Sequence, residues 1–254
     1  LDAFTSRRFA GNPAAVMLLE SYPDDDLLQA LAAENNLAET AFIVPNGDGY
    51  SIRWFTPTVE VPLCGHATLA SAAVVLERLN TSLNAIVFNS ASGPLTVRRS
   101  EGGYVMDFPV RRCTLVEPPA GFARMLGTSI DETVWDGFNF LARLPSANDV
   151  RSLSPDLGAV ARLPCAGVIV TARGDGQHDC VSRYFAPAKG IPEDPVTGGA
   201  HCALMPYWAE RLGKSEIHAF QASLRGGDLR CRLRGDRVEL EGACVFYLEG
   251  IARW

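Results

Sequence analysis

The spacing of apolar and polar positions predicts short strands separated by a few helices. Strands are predicted at 14–19, 41–44, 50–55, 85–89, 95–99 and 104–108, and helices at 24–36 and 67–79. The first helix has an acidic start and an apolar face made by Leu27, Leu28 and Leu31. The run Asn46-Gly47-Asp48-Gly49 is typical of a tight turn, so the strands that flank it are predicted to form a hairpin.

An internal repeat organises the chain. A weakly patterned stretch containing Pro109, Pro118 and Pro119 is interpreted as a linker, and after it the same residues return in the same order. The segments Arg53-Trp54-Phe55-Thr56-Pro57 and Glu60-Val61-Pro62-Leu63-Cys64-Gly65-His66-Ala67 are echoed by Arg183-Tyr184-Phe185-Ala186-Pro187 and Glu193-Asp194-Pro195-Val196-Thr197-Gly198-Gly199-Ala200. We therefore expect two similar α+β lobes related by a pseudo-twofold axis, with a site between them.

Composition narrows the class of protein. The chain has 254 residues, of which 47% are hydrophobic and 20% charged, so a sizeable core can form and disorder is excluded. No apolar run is long enough for a membrane span, and the net charge of −6 argues against nucleic acid or an anionic membrane as a partner. Seven unclustered cysteines and a start that does not resemble a signal peptide indicate a reducing cytoplasm. A residue or two is expected to precede Leu1.

Both copies of the central motif predict an anion-binding helix start. Each copy runs from a strand through a proline-containing loop into Gly-x-Ala, with Gly65 in the first copy and Gly198 and Gly199 in the second. Glycine lets a ligand approach the backbone, and the first turn of a helix offers unpaired N–H groups. The alternative is that the glycines only allow close packing of strand and helix. For the paired copies we favour a carboxylate site formed by both helix starts.

Three residues break the symmetry of the repeat and are the candidate catalytic groups. Glu39 is echoed by Cys165 or Ala166, His66 aligns with Gly199, and Asp194 aligns with Val61. A carboxylate desolvated between two lobes has a raised pKa and can act as base and then as acid. Each residue also has a structural interpretation: an exposed junction for Glu39, a turn cap for Asp194, and a backbone partner for His66.

The cysteines and the other histidines are expected to be structural. Two thiols facing each other would support racemisation, but the echo of Cys64 is Thr197, whose hydroxyl is too weak an acid or base. A two-thiol mechanism is therefore excluded at this pair. His201 is interpreted as a packed helix residue, and His178 and His218 as loop and strand-surface residues.

The chain resembles the PhzF family of phenazine biosynthesis-like isomerases over nearly its whole length. The motifs that carry the resemblance are Gly11-Asn12-Pro13-Ala14-Ala15-Val16, Asn35-Asn36-Leu37-Ala38-Glu39-Thr40-Ala41-Phe42, Arg53-Trp54-Phe55-Thr56-Pro57, Cys64-Gly65-His66-Ala67-Thr68 and Glu193-Asp194-Pro195-Val196-Thr197-Gly198-Gly199-Ala200-His201. The resemblance implies an α+β, diaminopimelate-epimerase-like fold: two pseudo-symmetric lobes, each a β-sheet wrapped around a central helix. The lobes are expected at 1–113, with 244–254 returning to it, and at 114–243.

The resemblance also implies an activity. In the family's phenazine enzyme, trans-2,3-dihydro-3-hydroxyanthranilate is isomerised without cofactor or metal, the equivalent of Glu39 shuttles the proton, and those of His66 and Asp194 assist. Gly65 then belongs to the carboxylate-binding helix start. Gly199 departs from the family, which commonly has serine there, so a hydroxyl contact to substrate is lost.

The expectation is a cytoplasmic, cofactor-independent isomerase of a small carboxylate-bearing substrate. A homodimer is the family-based expectation for its assembly. Two alternatives stay open: a non-thiol amino-acid epimerase or racemase, and a catalytically idle small-molecule-binding protein of the same fold.

Overall fold

The computed structural model of the protein describes residues 1–254. The chain divides into two compact units, one formed by Leu1–Asp107 with Glu241–Trp254 and the other by Phe108–Leu240. The ranges predicted from the sequence, 1–113 with 244–254 and 114–243, have boundaries a few residues away from these.

Short strands dominate the secondary structure. The strands are β1 (Asp2–Ala3), β2 (Asn12–Leu18), β3 (Glu39–Asn46), β4 (Gly49–Phe55), β5 (Glu60–Val61), β6 (Ala85–Ser90), β7 (Gly93–Ser100), β8 (Gly103–Pro109), β9 (Thr114–Leu115), β10 (Glu132–Trp135), β11 (Asn139–Arg143), β12 (Gly167–Arg173), β13 (Cys180–Ala186), β14 (Ile191–Asp194), β15 (Glu216–Gln221), β16 (Gly227–Arg234), β17 (Arg237–Gly242) and β18 (Cys244–Val245). The α-helices are α1 (Asp25–Asn35), α2 (Gly65–Val74), α3 (Phe122–Leu126), α4 (Ala147–Ser152), α5 (Leu157–Val160) and α6 (Gly198–Leu212). A π-helical turn, Val75–Leu79, extends α2, and a 3-10 turn, Pro187–Lys189, precedes β14. No helix combines the length and the apolar content that crossing a membrane requires.

The capping residues of α1 are Asp24 and Asn36, the first and last residues of the predicted helix 24–36. Asp24 accepts a hydrogen bond from the backbone N–H of Leu27 at 2.9 Å, which satisfies one of the unpaired donors of the first turn. Asn36 ends the helix in the left-handed conformation, with φ of 49°, which asparagine adopts more readily than most residues. The buried face of the helix, Leu28 and Ala32, packs in one cluster with Phe42. The predicted helix is confirmed.

The predicted hairpin is formed by β3 and β4. Asn46 pairs with Gly49, which leaves Gly47 and Asp48 as a two-residue turn. Gly47 has φ of +59°, a conformation that glycine adopts without steric cost and that such turns require.

In the first unit the sheet surrounds α2. β2 is parallel to β3, β3 antiparallel to β4 and β4 parallel to β6, and β6, β7 and β8 continue antiparallel. Every residue from His66 to Ala73 is buried, and a helix without an exposed stripe must be enclosed by other elements. The helix predicted at 67–79 corresponds to α2 and its π-helical extension.

The second unit repeats this order of pairings around α6. β11 is parallel to β12, β12 antiparallel to β13, β13 parallel to β15, and β15 antiparallel to β16. Ten of the 15 residues of α6 are buried, so it is the central helix of this unit. The predicted fold class, α+β with two similar lobes each built around one helix, is confirmed.

An equivalent ion pair in each unit supports the internal repeat. The Arg53 guanidinium donates to both carboxylate oxygens of Glu60 at 2.7 Å. The Arg183 guanidinium donates in the same way to Glu193, at 2.7 and 2.9 Å. These bidentate pairs tie β4 to β5 and β13 to β14, the short strands that precede the two central helices.

The proline-containing stretch interpreted as a linker is part of the second unit. It carries β9, in which Leu115 pairs antiparallel with Val134 of β10. A strand of two residues is too short for an alternating pattern, which is why the sequence gives no sign of it.

Candidate active site

Glu39 is positioned by the end of α1 and the start of β3. After the left-handed Asn36, the chain turns and Glu39 becomes the first residue of β3, in register with Ala14 of β2. Its side chain is 13% exposed. Regular structure on both sides of Glu39 therefore fixes its backbone, and its carboxylate lies largely out of solvent.

Cys64 and His66 contact Glu39 from the start of α2. His66 lies in the first turn of this helix, and its Nε2 is 3.2 Å from Oε2 of Glu39. The Cys64 thiol hydrogen-bonds the same carboxylate, and its Sγ is 3.5 Å from Nδ1 of His66. Because an i, i+2 pair does not share a helix face, Cys64 reaches this cluster from the extended N-cap position.

The environment gives Glu39 an acid–base strength suited to neutral pH. Burial raises the pKa of Glu39 to about 7, and the hydrogen bond from Cys64 opposes that rise. Desolvation is the dominant cause because it penalises the ionised carboxylate and leaves the neutral acid almost unaffected. Near neutrality both protonation states of Glu39 are populated, which a group that takes up and returns a proton requires.

The same cluster offers ligand atoms to a metal ion. One ligand atom each from Glu39, Cys64 and His66 lies within 4.8 Å of the others. Oxygen, sulfur and nitrogen donors of these kinds all bind zinc. The expectation that the reaction needs no metal therefore stays a prediction.

The two central helices lack the side-chain caps found on other helices. Asp24, Ser146 and Asp156 cap α1, α4 and α5 by accepting backbone N–H bonds at 2.9, 3.2 and 2.9 Å. Cys64 and Thr197, at the N-cap positions of α2 and α6, make no such bond. The N–H groups that open a helix have no carbonyl partner four residues earlier within it. In α6 these are the N–H groups of Gly198 and Gly199, because that of Ala200 donates to the carbonyl of Thr197 at 3.2 Å. Both helix starts can therefore bind an anion.

Asp194 and Thr197 form a fixed corner before α6. The Thr197 hydroxyl donates to Oδ2 of Asp194 at 2.5 Å and is thereby diverted from capping its own helix. Gln221, fully buried, accepts from the N–H of Thr197 at 2.8 Å and donates to the backbone carbonyl of Asp194 at 2.7 Å. This corner holds the Asp194 backbone beside the helix start at Gly198 and Gly199.

The proline-containing loop before each central helix is tied down in the same way. Ser92 donates to the carbonyl of Pro62 at 2.7 Å, and Ser223 donates to the carbonyl of Pro195 at 2.8 Å. The two starts of α2 and α6 are therefore held by equivalent bonds within their own units.

Arg111 lies beside the start of α6, and the sequence analysis did not identify it. Its guanidinium would be 3.7 Å from a Cβ at Gly199, which is an ordinary van der Waals distance, so the arginine lies directly beside this glycine. The side chain stacks on Phe138 at 4.7 Å, lies 3.9 Å from Asp136 and is 32% exposed. No local sequence pattern connects Arg111 with Gly199, because the two residues are far apart in the chain.

The structure places the predicted residues in two sets, one in each unit. Glu39, Gly65 and His66 lie together in the first unit, with Cys64 added to them. Gly198, Gly199 and Asp194 lie together at the start of α6 in the second unit, with Arg111 added to them. That the two helix starts converge on one ligand stays a prediction.

His201, the histidine of α6, is packed in the interior, as predicted. His201 is fully buried, and its Nδ1 lies 2.8 Å from the carbonyl oxygen of Thr197. Burial lowers the pKa of His201 to about 4, so it is neutral at physiological pH. Its role is therefore to stabilise the start of α6 and not to transfer protons.

A cavity of about 750 Å³ in the second unit involves none of the predicted residues. It lies at the far end of α6, and its lining includes Glu132, Tyr207 and Arg211. Arg211 donates to both carboxylate oxygens of Glu132, at 2.6 and 2.8 Å, and Tyr207 donates to Glu132 as well. Since these polar groups already satisfy one another, the cavity gives no sign of a binding function.

Comparison with known proteins identifies relatives over the full length of the chain. A family described as phenazine biosynthesis-like protein matches residues 1–250. An uncharacterized isomerase of Pseudomonas aeruginosa is 49% identical over 100% of this chain and 97% of its own length. A crystal structure from the phenazine biosynthesis protein PhzF family of Enterococcus faecalis superposes with a TM-score of 0.92 at 43% identity, covering 95% of this chain and 93% of the other. A hydroxyproline epimerase of Agrobacterium vitis, at 10% identity, covers 82% of this chain and 72% of its own with a TM-score of 0.50, which is a likeness of fold alone.

Proposed function

The chain belongs to the phenazine biosynthesis-like (PhzF) family of isomerases, and on that premise we propose that it moves a proton on a small carboxylate-bearing substrate without a cofactor. The observation that carries the proposal is the Glu39 cluster. A buried carboxyl group with a pKa of about 7, in contact with an imidazole and a thiol, is suited to acid–base chemistry near neutrality.

In this proposal Glu39 performs both proton steps. The ionised carboxylate removes a proton from carbon, and the resulting acid returns it at another position of the same substrate. The second unit offers no acidic group at the equivalent position. The sequence alignment predicts Cys165 or Ala166 there, and the strand register corrects this to Gly167, because Thr40 pairs with Phe55 as Val168 pairs with Phe185. Nε2 of His66 lies 3.2 Å from the Glu39 carboxylate. It can therefore stabilise Glu39 both as the ionised carboxylate and as the neutral acid.

Substrate binding is assigned to the uncapped helix starts. The amides around Gly65 in α2 and around Gly198 and Gly199 in α6 would bind carboxylate oxygens through the backbone. Arg111 supplies a full positive charge beside Gly199, where the family commonly has a serine hydroxyl. Asp194, whose backbone is fixed by Gln221, is proposed to assist the proton transfer that Glu39 performs.

Solvent-deuterium exchange tests the proposal directly. Wild-type protein, treated with a chelator, is incubated in D₂O with a panel of small cyclic and amino carboxylates, and incorporation is followed by mass spectrometry. Glu39→Gln, which keeps size and hydrogen bonding but cannot take a proton, should exchange at least about 10²-fold more slowly. The matched control is Glu34→Gln, the same change at an exposed glutamate of α1.

The outcomes separate the three functions under consideration. Exchange accompanied by a shift of a double bond supports the isomerase, and exchange with inversion at one carbon supports a non-thiol epimerase or racemase. Ligand binding with no exchange at all supports an idle binding protein. Exchange at the wild-type rate in Glu39→Gln would mean that Glu39 is not the shuttle.

A further inference from the structure

Three potential metal ligands meet on the surface of the second unit. Nε2 of His178 lies 2.8 Å from Oδ1 of Asp228, and Nε2 of His218 lies 3.2 Å from the same oxygen. The two imidazole rings are 4.6 Å apart between centroids. One ligand atom from each of the three residues lies within 4.8 Å of the others.

The strand register explains how two of these side chains come together. His218 pairs with Arg230 and Phe220 pairs with Asp228 across β15 and β16. His218 and Asp228 are therefore diagonal neighbours on one face of the sheet. The opposite face of β15 carries the buried residues Ile217 and Ala219, so the face with His218 and Asp228 is the outer one.

The loop between β12 and β13 brings the third ligand to this face. The N–H of Asp179 donates to the carbonyl of His218 at 2.7 Å, and Oδ2 of Asp179 accepts from the N–H of His218 at 2.9 Å. Gly174 allows the loop to close, because a Cβ there would lie 2.2 Å from the carbonyl oxygen of His178. These bonds hold the loop that carries His178 against β15.

Packing restricts the two imidazoles further. The ring of His178 contacts the Phe220 ring at 5.0 Å between centroids. The side chains of His178 and His218 are only 14% and 26% exposed, whereas that of Asp228 is 51% exposed. The site is thus held in place on its protein side and open to solvent on the side of Asp228.

The distances suit a tetrahedral transition-metal ion. With metal–nitrogen and metal–oxygen bonds of about 2.0–2.1 Å, neighbouring ligand atoms of a tetrahedral zinc site are about 3.3 Å apart. The two observed nitrogen–oxygen distances, 2.8 and 3.2 Å, need to open by about 0.5 and 0.1 Å to reach this value. Imidazole and carboxylate donors favour Zn²⁺ and its neighbours in the series over Mg²⁺ or Ca²⁺.

We propose that His178, His218 and Asp228 form a Zn²⁺ site in which water takes the fourth position. The ion would fasten the β12–β13 loop to the β15–β16 hairpin through side chains, in addition to the backbone bonds made by Asp179. Arg230, opposite His218, brings a positive charge to the same face and limits the affinity. This site is independent of Glu39 and of the proposed isomerase reaction.

Metal titration of the full chain tests the site. After removal of metals with a chelator, Zn²⁺ binding is measured by calorimetry, and Co²⁺ is used as a spectroscopic substitute. One equivalent should bind, and His178→Gln and Asp228→Asn should each weaken binding by at least about tenfold. Glu216→Gln, on the same strand and face but ion-paired with Arg232, is the matched control and should bind as the wild type does.

A second readout distinguishes this site from the cluster at Glu39. Binding at the proposed site should shift the ring nitrogen resonances of His178 and His218 among the 4 histidines, and the Co²⁺ form should lack a thiolate charge-transfer band. Binding that is lost in Cys64→Ser and kept in His178→Gln would overturn the proposal. So would the absence of binding at a tenfold excess of Zn²⁺ over protein.

Discussion

The buried carboxyl group of Glu39 should make the protein less stable as the pH rises. Moving its pKa from an ordinary value of 4.5 to about 7 costs the folded state about 3 kcal/mol once the group is ionised. Between these values the folded state binds more protons than the unfolded state, so the free energy of unfolding falls with increasing pH. Since the side chain is only 13% exposed, solvent screening does not remove this cost.

Glu39→Gln removes the ionisation and therefore the cost. Near pH 4 the variant and the wild type should have similar free energies of unfolding, and near pH 8 the variant should be more stable by about 3 kcal/mol. Urea denaturation across this pH range measures the difference, with Glu34→Gln as the control that should show no such trend. A difference that is constant with pH, or a variant that is less stable at alkaline pH, would refute the burial argument.

Four further substitutions probe the remaining contacts. Cys64→Ser should keep deuterium exchange within a few-fold of the wild type, because a hydroxyl still donates to Glu39; a loss of about 10²-fold or more would revive a thiol mechanism. Cys64→Ala removes the hydrogen bond that lowers the pKa of Glu39, so the ascending limb of the pH–rate profile should move to higher pH. Arg111→Gln should raise the KM for carboxylate substrates more than it lowers kcat, and an unchanged KM would exclude Arg111 from binding. Asp194→Asn should slow exchange by about 10²-fold or more if Asp194 transfers a proton, and a wild-type rate would leave it a structural role.

Much of the fold could be predicted from residue types that act on their near neighbours in the chain. The limits of α1 follow from Asp24 and Asn36, which act at its two ends as their residue types suggest. The hairpin follows from Gly47 and Asp48, and the repeated order of strands follows from the echoed motifs. In each case the signal and the structure that it specifies lie within a few residues of each other, or recur twice in the chain.

The groups that the sequence did not reveal are brought together by long-range pairing. Arg111 lies beside Gly199 although 88 positions separate them in the sequence, and no local pattern connects them. His178 meets Asp228 only because one loop and one hairpin share a sheet face. Cys64 is a similar case: its alignment with Thr197 argues against a thiol pair, yet it says nothing about the contact with Glu39.

Contacts that recur in both units stabilise the fold, whereas side chains present in only one unit are the candidates for catalysis. Thr68 and His201 occupy equivalent places in α2 and α6, and both lie within hydrogen-bond distance of the carbonyl oxygen four residues earlier, at 2.6 and 2.8 Å. Glu39 has no such equivalent, because the strand register puts Gly167 at its position in the second unit. Its burial lowers stability at neutral pH instead of raising it, which is the expected sign for a group retained for function. Structural and catalytic residues should therefore respond differently to substitution. Thr68→Val should lower stability at every pH, whereas Glu39→Gln should slow proton exchange by at least about 10²-fold and raise stability at alkaline pH.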